Sequence, residues 1–392
     1  MTTTKNNEHK KLNVPNLRFP EFQGEWEKQK LCDISSIVGR IGFRGYTTND
    51  IVEKGMGAIA LSPTNIVNNQ LTYDKDNTYI SMSKYEESPE IMIKRGDVIF
   101  VKTGSTVGKV AYVDKMICKT TLNPQVVVLK DIKCDNYILS VIMSTRNFQN
   151  KIQRITVGGA VPTLSQVAMG NIFISLPAAK EQEKISKFIS LLDKRINTQN
   201  KIIEDLKKLK SAISHILFSD KCTKHLSDIA NVIMGQSPSS NVYNDQGIGI
   251  PLVQGNLDIS NGKTTPRLYT AEFNQTAEEG NIILTVRAPV GEVARATKKV
   301  CLGRGVCAII PLEENMADFI YQYLTFYKFM WRRYEQGSTF TSINGSDVRN
   351  ILCPKVRNVS ILTLLDGKIN IEERVVKLYQ SQKQNMLYHM FI

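Results

Sequence analysis

An ordered series of short motifs occurs twice in this chain, and that duplication limits the fold more than any other feature. Leu31-Cys-Asp-Ile34 returns as Leu226-Ser-Asp-Ile229, and Gly96-Asp-Val-Ile99 returns as Gly280-Asn-Ile-Ile283. Gly158, followed by Pro162-Thr163-Leu164-Ser165, returns as Gly337, followed by Thr341-Ser342-Ile343-Asn344. Pro177 returns as Pro354, and a helical run ending in Ile216-Leu217-Phe218 returns as one ending in His389-Met390-Phe391. A duplicated unit within one chain makes a molecule with two similar ends, suited to a target that also has two parts.

The spacing of the repeat separates two kinds of segment. Matched positions lie 195 apart at Leu31 and Leu226, but 173 apart at Leu192 and Leu365 and again at Phe218 and Phe391. The early parts of each copy therefore carry insertions and deletions, as loop-rich domains tolerate. The late parts hold their register, as a packed helical seam must, because one added residue turns every later side chain by about 100°.

In the first copy, Ala58–Leu61, Asp97–Val101, Lys109–Val113 and Gln125–Leu129 are apolar runs bounded by Gly, Pro, Asn or Asp, which reads as strands of a curved, mostly antiparallel sheet. Asn136 to Arg154 carries Ile138, Val141, Ile142, Phe148 and Ile152 at helical spacing. From Ala178 to Phe218 there is neither Pro nor Gly. Seam positions there step by three and four through Ile185, Ile189, Leu192, Ile196, Ile203, Leu206, Leu209, Ile213 and Ile216, with polar Gln199 filling the one between Ile196 and Ile203. Ile361, Leu365, Ile369, Val376, Tyr379, Met386 and Met390 form the matching seam of a second helix from about Ser360 to Phe391.

The expected architecture is α+β. Two similar mixed α/β domains are joined by two long helices, which pair as an antiparallel coiled coil with pseudo-two-fold symmetry. The expected boundaries are 1–178 for the first domain (1–25 a tail), 179–220 for the first helix, 221–355 for the second domain and 356–392 for the second helix. A first helix of roughly 58 Å would set the domain centres on the order of 50 Å apart, about one and a half turns of duplex DNA.

The chain has 392 residues with 50 Lys and Arg against 37 Asp and Glu, a net charge of +13 that favours a polyanionic partner, nucleic acid before an anionic membrane. No apolar run is long enough to cross a bilayer, and Met1 to Lys11 lacks the apolar core of a signal peptide, so the expected location is the cytoplasm. The seven cysteines are scattered with no CxxC pair, which points to ordinary reduced thiols rather than a zinc site or a disulfide framework.

Several stretches resemble the specificity subunit of type I restriction–modification systems. They are Pro15-Asn-Leu-Arg-Phe-Pro-Glu-Phe22 with Glu25-Trp26, the loop Gly104-Ser-Thr-Val-Gly-Lys-Val110, and Gly158-Gly-Ala-Val-Pro-Thr-Leu-Ser165 leading through Leu176-Pro177 to Glu181-Gln182-Glu183-Lys184-Ile185 and Leu192-Asp193. Gly235-Gln-Ser-Pro238 is similar to the start of a second target-recognition domain. The resemblance spans nearly the whole chain, although Glu181-Gln182 has no counterpart after Pro354.

It implies a non-catalytic reader of double-stranded DNA, each target-recognition domain taking one half of a bipartite sequence. The helices would set the gap and dock two methyltransferase subunits, through which restriction and translocase subunits join. It also implies that this chain binds no cofactor, with S-adenosylmethionine, ATP and Mg on the partners. Adenine-N6 methylation and ATP-dependent cleavage would belong to those partners. Two other readings stand beside it. One is a structural scaffold without readout of its own; the other is a metal-dependent nuclease built on Asp114, Asp131 and Lys133, a spacing that arises often by chance.

Residue chemistry nominates the DNA contacts, because Arg can pair with both guanine acceptors, and Asn or Gln with adenine. The first copy offers Arg40, Arg44, Lys102, Thr103, Ser105, Lys109, Arg154, Gly158, Gly159 and Thr163. The second offers Gln236, Ser237, Gln254, Asn256, Arg287, Arg304, Arg332, Arg333, Gln336 and Ser338. Each is equally readable as a solvated residue or a turn former. Gly104 to Lys109 is not a phosphate-binding loop: the spacing is one residue short and Val110 stands where Ser or Thr is needed. No Asn-Pro-Pro-aromatic signature of an adenine methyltransferase is present, since Asn123-Pro124 is followed by Gln125.

Overall fold

A run such as Val98–Val101, apolar at every position, cannot lie on a sheet that is wet on one face, and all four residues are buried. The computed structural model, which describes residues 12–73, 76–331 and 342–391, shows how both faces are covered. Met1–Asn197 with Lys377–Ile392 form one compact unit, and Thr198–Val376 form a second.

In the first unit a six-stranded sheet runs in the order Ser36–Gly39, Val126–Lys130, Val98–Val101, Val110–Tyr112, Gln70–Leu71 and Ile66–Val67. A four-stranded sheet runs Thr120–Leu122, Ala58–Leu61, Thr78–Ile80 and Ile51–Val52. Ile99, Val101, Val126 and Val128 pack toward Ile59 and Leu61 of the smaller sheet. Alternate residues Val98, Phe100, Val127 and Leu129 face Ile138, Leu139, Ile142, Phe148 and Ile152 of the covering helices. The fold is thus two sheets and a helical layer, where the sequence suggested a single sheet. The smaller sheet depends on a parallel pairing of Thr120–Leu122 with Ala58–Leu61, a long-range contact that no local pattern announces.

The second unit repeats this order. Its larger sheet runs Ala230–Met234, Val306–Pro311, Ile282–Thr285, Val293–Arg295, Lys263–Thr264 and Ile259–Ser260. Its smaller sheet contains Tyr243–Asn244, Leu268–Thr270, Ile250–Val253, Val300–Leu302 and one extra strand, Thr276–Ala277. The helix Ala317–Trp331 covers it, with Phe319, Ile320 and Leu324 on Ile282, Leu284 and Ile309. In the first unit the corresponding layer is two helices, Asn136–Ser144 and Arg146–Ile155, instead of the one expected. Thr145 turns extended between them and its hydroxyl accepts from the Phe148 amide, capping the second helix.

The long helices are Ala179–Leu217 and Ser360–Met390. Within the first unit, Asp193 meets Lys383 and the Arg195 guanidinium lies 5.2 Å from the Tyr379 ring centre. Within the second, Gln199 meets Glu372, and Lys210 meets Asp366 at 2.6 Å. In each unit a rising number on one helix meets a falling number on the other, so the pairing is antiparallel. Ile185, Ile189, Ile196, Ile203, Ile369 and Val376 are buried, while Leu192, Leu206, Ile213, Leu365 and Met386 are half-buried. Leu209, Ile216 and Ile361, expected in the seam, are exposed, and Leu362 is buried in place of Ile361. The seam keeps its heptad through Lys210, Leu217 and Leu362, and Leu209, Ile216 and Ile361 each stand one residue before those positions, about 100° around the helix from the contact line.

The expected tail is a clamp where it is described, from Leu12 onward. Arg18 donates two hydrogen bonds, both 2.7 Å, to the carboxylate of Glu181, whose side chain is 0% exposed. The Phe19 ring meets Phe188 edge-on at 6.0 Å, the Leu17 amide donates to the His389 carbonyl, and Asn13 receives the Ser175 hydroxyl. The amide of Asp135 donates to the Gln182 side chain, which in turn donates to the Pro177 carbonyl. The Glu181-Gln182 pair is therefore satisfied internally and fastens the base of the first helix to its own unit.

Candidate nucleic-acid interface

In each unit, loops converge at one end of the two sheets because of strand register. Val101 pairs with Val126, Gly39 with Val127 and Leu61 with Leu122, so the chain ends reached at residues 40, 62, 102 and 123 share one rim. Backbone bonds lace that rim together. The Lys102 and Thr103 amides donate to the Gln125 carbonyl, Gly104 donates to Pro162, and Leu164 donates to Lys102. Gly158 adopts a φ of +106°, and a Cβ there would stand 2.8 Å from the Val161 carbonyl oxygen, so its place in the repeat is explained by a tight turn. Gly159 and Thr163 are exposed beside it.

The second unit builds the same rim. Thr285 pairs with Val306 and Met234 with Cys307, while the Gly303 amide donates to Val253, Gln236 to Leu302 and Val286 to Gly305. The Arg304 amide donates to the Ser237 hydroxyl at 3.0 Å, and Arg287 bridges Ser342. Gln254 and Asn256 are half-buried at the turn after Ile250–Val253, where the Gln254 amide donates to Asp258.

Cations on these rims differ in their engagement. Lys102, Lys109 and Arg154 in the first unit, and Arg287 and Arg304 in the second, make no side-chain hydrogen bond or ion pair among the described residues. All but Lys102 are exposed, as is Ser105; Lys102 and Thr103 are half-buried. Arg154 also sits in the last turn of its helix, where a positive charge suits the dipole.

Arg40 corrects the expectation of an exposed reader. It is 5% exposed, and its guanidinium donates to the Leu122 carbonyl, the Arg44 carbonyl and the Thr121 hydroxyl. Burial lowers its pKa from the ordinary value, partly offset by Tyr46, Glu90, Glu87 and Asp50. Arg44 is drawn aside as well, donating to the Glu87 carbonyl and lying 3.8 Å from Glu90. Arg332, Arg333, Gln336 and Ser338, with the repeat positions Gly337 and Thr341, lie outside the described residues.

Gln125, absent from the contacts expected above, is exposed at the centre of the first rim and carries an amide suited to adenine. Only the pairing of Val101 with Val126 reveals that position.

Among the described residues no cluster of three or more His, Cys, Asp or Glu could hold a metal ion. Asp114 lies 3.8 Å from Arg95, and the Lys133 ammonium donates to the Asp33 carbonyl, so two members of the supposed nuclease triad are engaged elsewhere. All seven cysteines are free, and burial pushes the Cys307 and Cys353 thiols up to about 12. No helix among the described residues is long and apolar enough to cross a membrane.

A twice-built two-sheet domain with a polar rim, followed each time by a long helix, defines a tandem recognition protein. The chain matches the type I restriction modification DNA specificity domain over residues 23–208 and again over 219–376, and it belongs to that family. A relative named as the MjaX type I restriction enzyme specificity subunit of Methanocaldococcus jannaschii is 28% identical over 376 residues, 88% of this chain and 86% of that one. The MjaIX specificity subunit of the same organism is 29% identical over 187 residues, 43% of each chain. The fold is shared with the S subunit of a type I restriction–modification system from M. genitalium, with a TM-score of 0.60 at 16% identity, covering 97% of this chain and 99% of that one. A second type I system chain has a TM-score of 0.55 at 21% identity, covering 92% of this chain and 96% of the other.

Proposed function

We propose that this chain is the DNA-reading specificity subunit of a type I restriction–modification complex. Each unit reads one half of a bipartite duplex target through its rim, and the paired helices set the unread gap. The observation that carries this reading is the matching strand order of the two larger sheets, in units whose rims each present cations without a side-chain partner among the described residues. The chain itself does no chemistry. Methylation of adenine and ATP-dependent cleavage belong to methyltransferase and restriction subunits, which would bring S-adenosylmethionine, ATP and Mg, and the complex would work in the cytoplasm.

The long helices carry features that suit partner docking. Ile202, Leu209 and Ile216 on the first, and Leu364, Ile371 and Leu378 on the second, are exposed at seven-residue spacing. Such stripes, off the seam and open to water, favour coverage by another protein. Two methyltransferase subunits are the occupants that the family reading supplies.

Binding to duplex DNA is expected to weaken steeply with salt, because cations that neutralise phosphates release counterions. Replacing Arg287 and Arg304 together with alanine is expected to lower the log–log salt slope by about 2, roughly one per lost phosphate contact. Fluorescence anisotropy across a salt series checks this. An affinity indifferent to salt in the unmodified chain would refute the DNA-reading assignment.

A further inference from the structure

Two aspartates on the long helices occupy matching places and do matching work. Asp193 lies on the first helix and Asp366 on the second, separated by the same 173 positions that relate the helical repeats. In the first unit, the Asp193 carboxylate accepts the Tyr137 hydroxyl at 2.6 Å and the Lys383 ammonium at 2.5 Å. In the second, Asp366 accepts the Gln322 side-chain amide at 2.7 Å and the Lys210 ammonium at 2.6 Å. Lys210 and Lys383 are themselves 173 apart. One ion pair is thus the repeat image of the other with the helices exchanged.

Each aspartate joins three elements. It sits on one long helix, holds a lysine of the other, and takes a third bond from a helix packed on its unit's larger sheet. That third helix is Asn136–Ser144 in the first unit and Ala317–Trp331 in the second. The donor has changed from a phenol to an amide, but the acceptor and the lysine are the same in both. Burial, reinforced by the Asp193 carboxylate, raises the Tyr137 pKa, so the phenol keeps its proton and remains a donor. The ion pairs are largely shielded: the side chains of Asp193 and Lys383 are 21% and 18% exposed, and those of Asp366 and Lys210 are 33% and 17% exposed. Screening by salt is weaker there than at an open surface pair.

We propose that Asp193 and Asp366 are paired positioning residues, each fixing the angle of one DNA-reading unit on the helix pair and so the strictness of the gap between half-sites. This rests on the reading that the helices measure the gap. Seam packing sets how the helices lie along each other, but among the described residues only these joints tie the sheet-covering helix, the unit's own long helix and the opposite one through a single carboxylate. A loosened joint should leave the rim and its half-site words intact while letting the unit swing.

The test uses the complex of this chain with its methyltransferase partner and a panel of duplexes whose gap is the preferred one, or one base pair longer or shorter. With unmodified chain, one gap is expected to dominate. Asp193→Ala and Asp366→Ala are each expected to cut the preference for that gap about tenfold, the worth of a charge-assisted hydrogen bond, with the half-site bases unchanged. Tyr137→Phe and Gln322→Leu remove only the third bond and are expected to relax the gap in the same direction to a smaller degree. These carry the test if the aspartate variants fail to assemble. A gap as strict in the variants as in the unmodified chain overturns the joint. No bipartite preference in the unmodified chain would overturn the function reading first, and the two failures are distinct.

Discussion

Replacing Arg18 with alanine is expected to destabilise the first unit by about 3 to 5 kcal/mol, the cost of leaving a buried charge without its partner. Glu181 has no exposed side-chain surface, and both its oxygens accept from the Arg18 guanidinium. The Glu181 hydrogen bond in turn raises the Arg18 pKa. Truncating Arg18 strands the carboxylate at the start of a helix whose base it fastens. Removing both charges together, as Arg18→Leu with Glu181→Leu, is expected to recover much of the loss, since paired removal leaves no orphaned ion. Differential scanning calorimetry of both variants checks this. An Arg18→Ala chain that melts like the parent would show that the clamp contributes nothing. The exposed Lys208 and Glu204 pair serves as a control, and its removal should leave the melting profile unchanged.

The second large effect concerns length. Inserting one heptad after Gln199 and another after Glu372 is expected to lengthen the recognised gap by about three base pairs, as seven residues add about 10.5 Å and duplex DNA rises about 3.4 Å per pair. The two insertion points face each other, because Gln199 donates to Glu372, and they are also repeat mates 173 apart. A heptad in each helix keeps the apolar phase nearly intact, so the seam can re-form. Methylation mapping of the altered chain with its partner should return the same half-site words at a wider spacing. An unchanged gap would mean that the helices are not the ruler.

Three strands of the first unit's larger sheet and both long helices could be read from pattern alone. Val98–Val101 and Val126–Lys130 are apolar runs between turn residues, and Ala179–Leu217 has no Pro or Gly to interrupt it. Of the smaller sheet only the strand Ala58–Leu61 could be read, because its central pairing joins Ile59 to Thr120 across a long intervening chain. Arg40 looked like a reader because its partner, the Leu122 carbonyl, lies 82 residues away and leaves no local trace. The partner of Glu181 leaves no local trace either, since its arginine, Arg18, arrives from the segment expected to be a tail. Ile185 and Ile189 follow the heptad, whereas Leu209 and Ile216 share the exposed heptad of Ile202, one position short of Lys210 and Leu217, through which the seam continues.

Two similar units that read two different DNA words at a fixed separation should leave that pattern on the adenines methylated in cells expressing this chain with its methyltransferase partner, and sequencing those adenines is the decisive measurement. One modified motif is expected, made of two specific half-sites around a gap of constant length and unspecified sequence. A contiguous motif, or methylation without sequence preference, would contradict it.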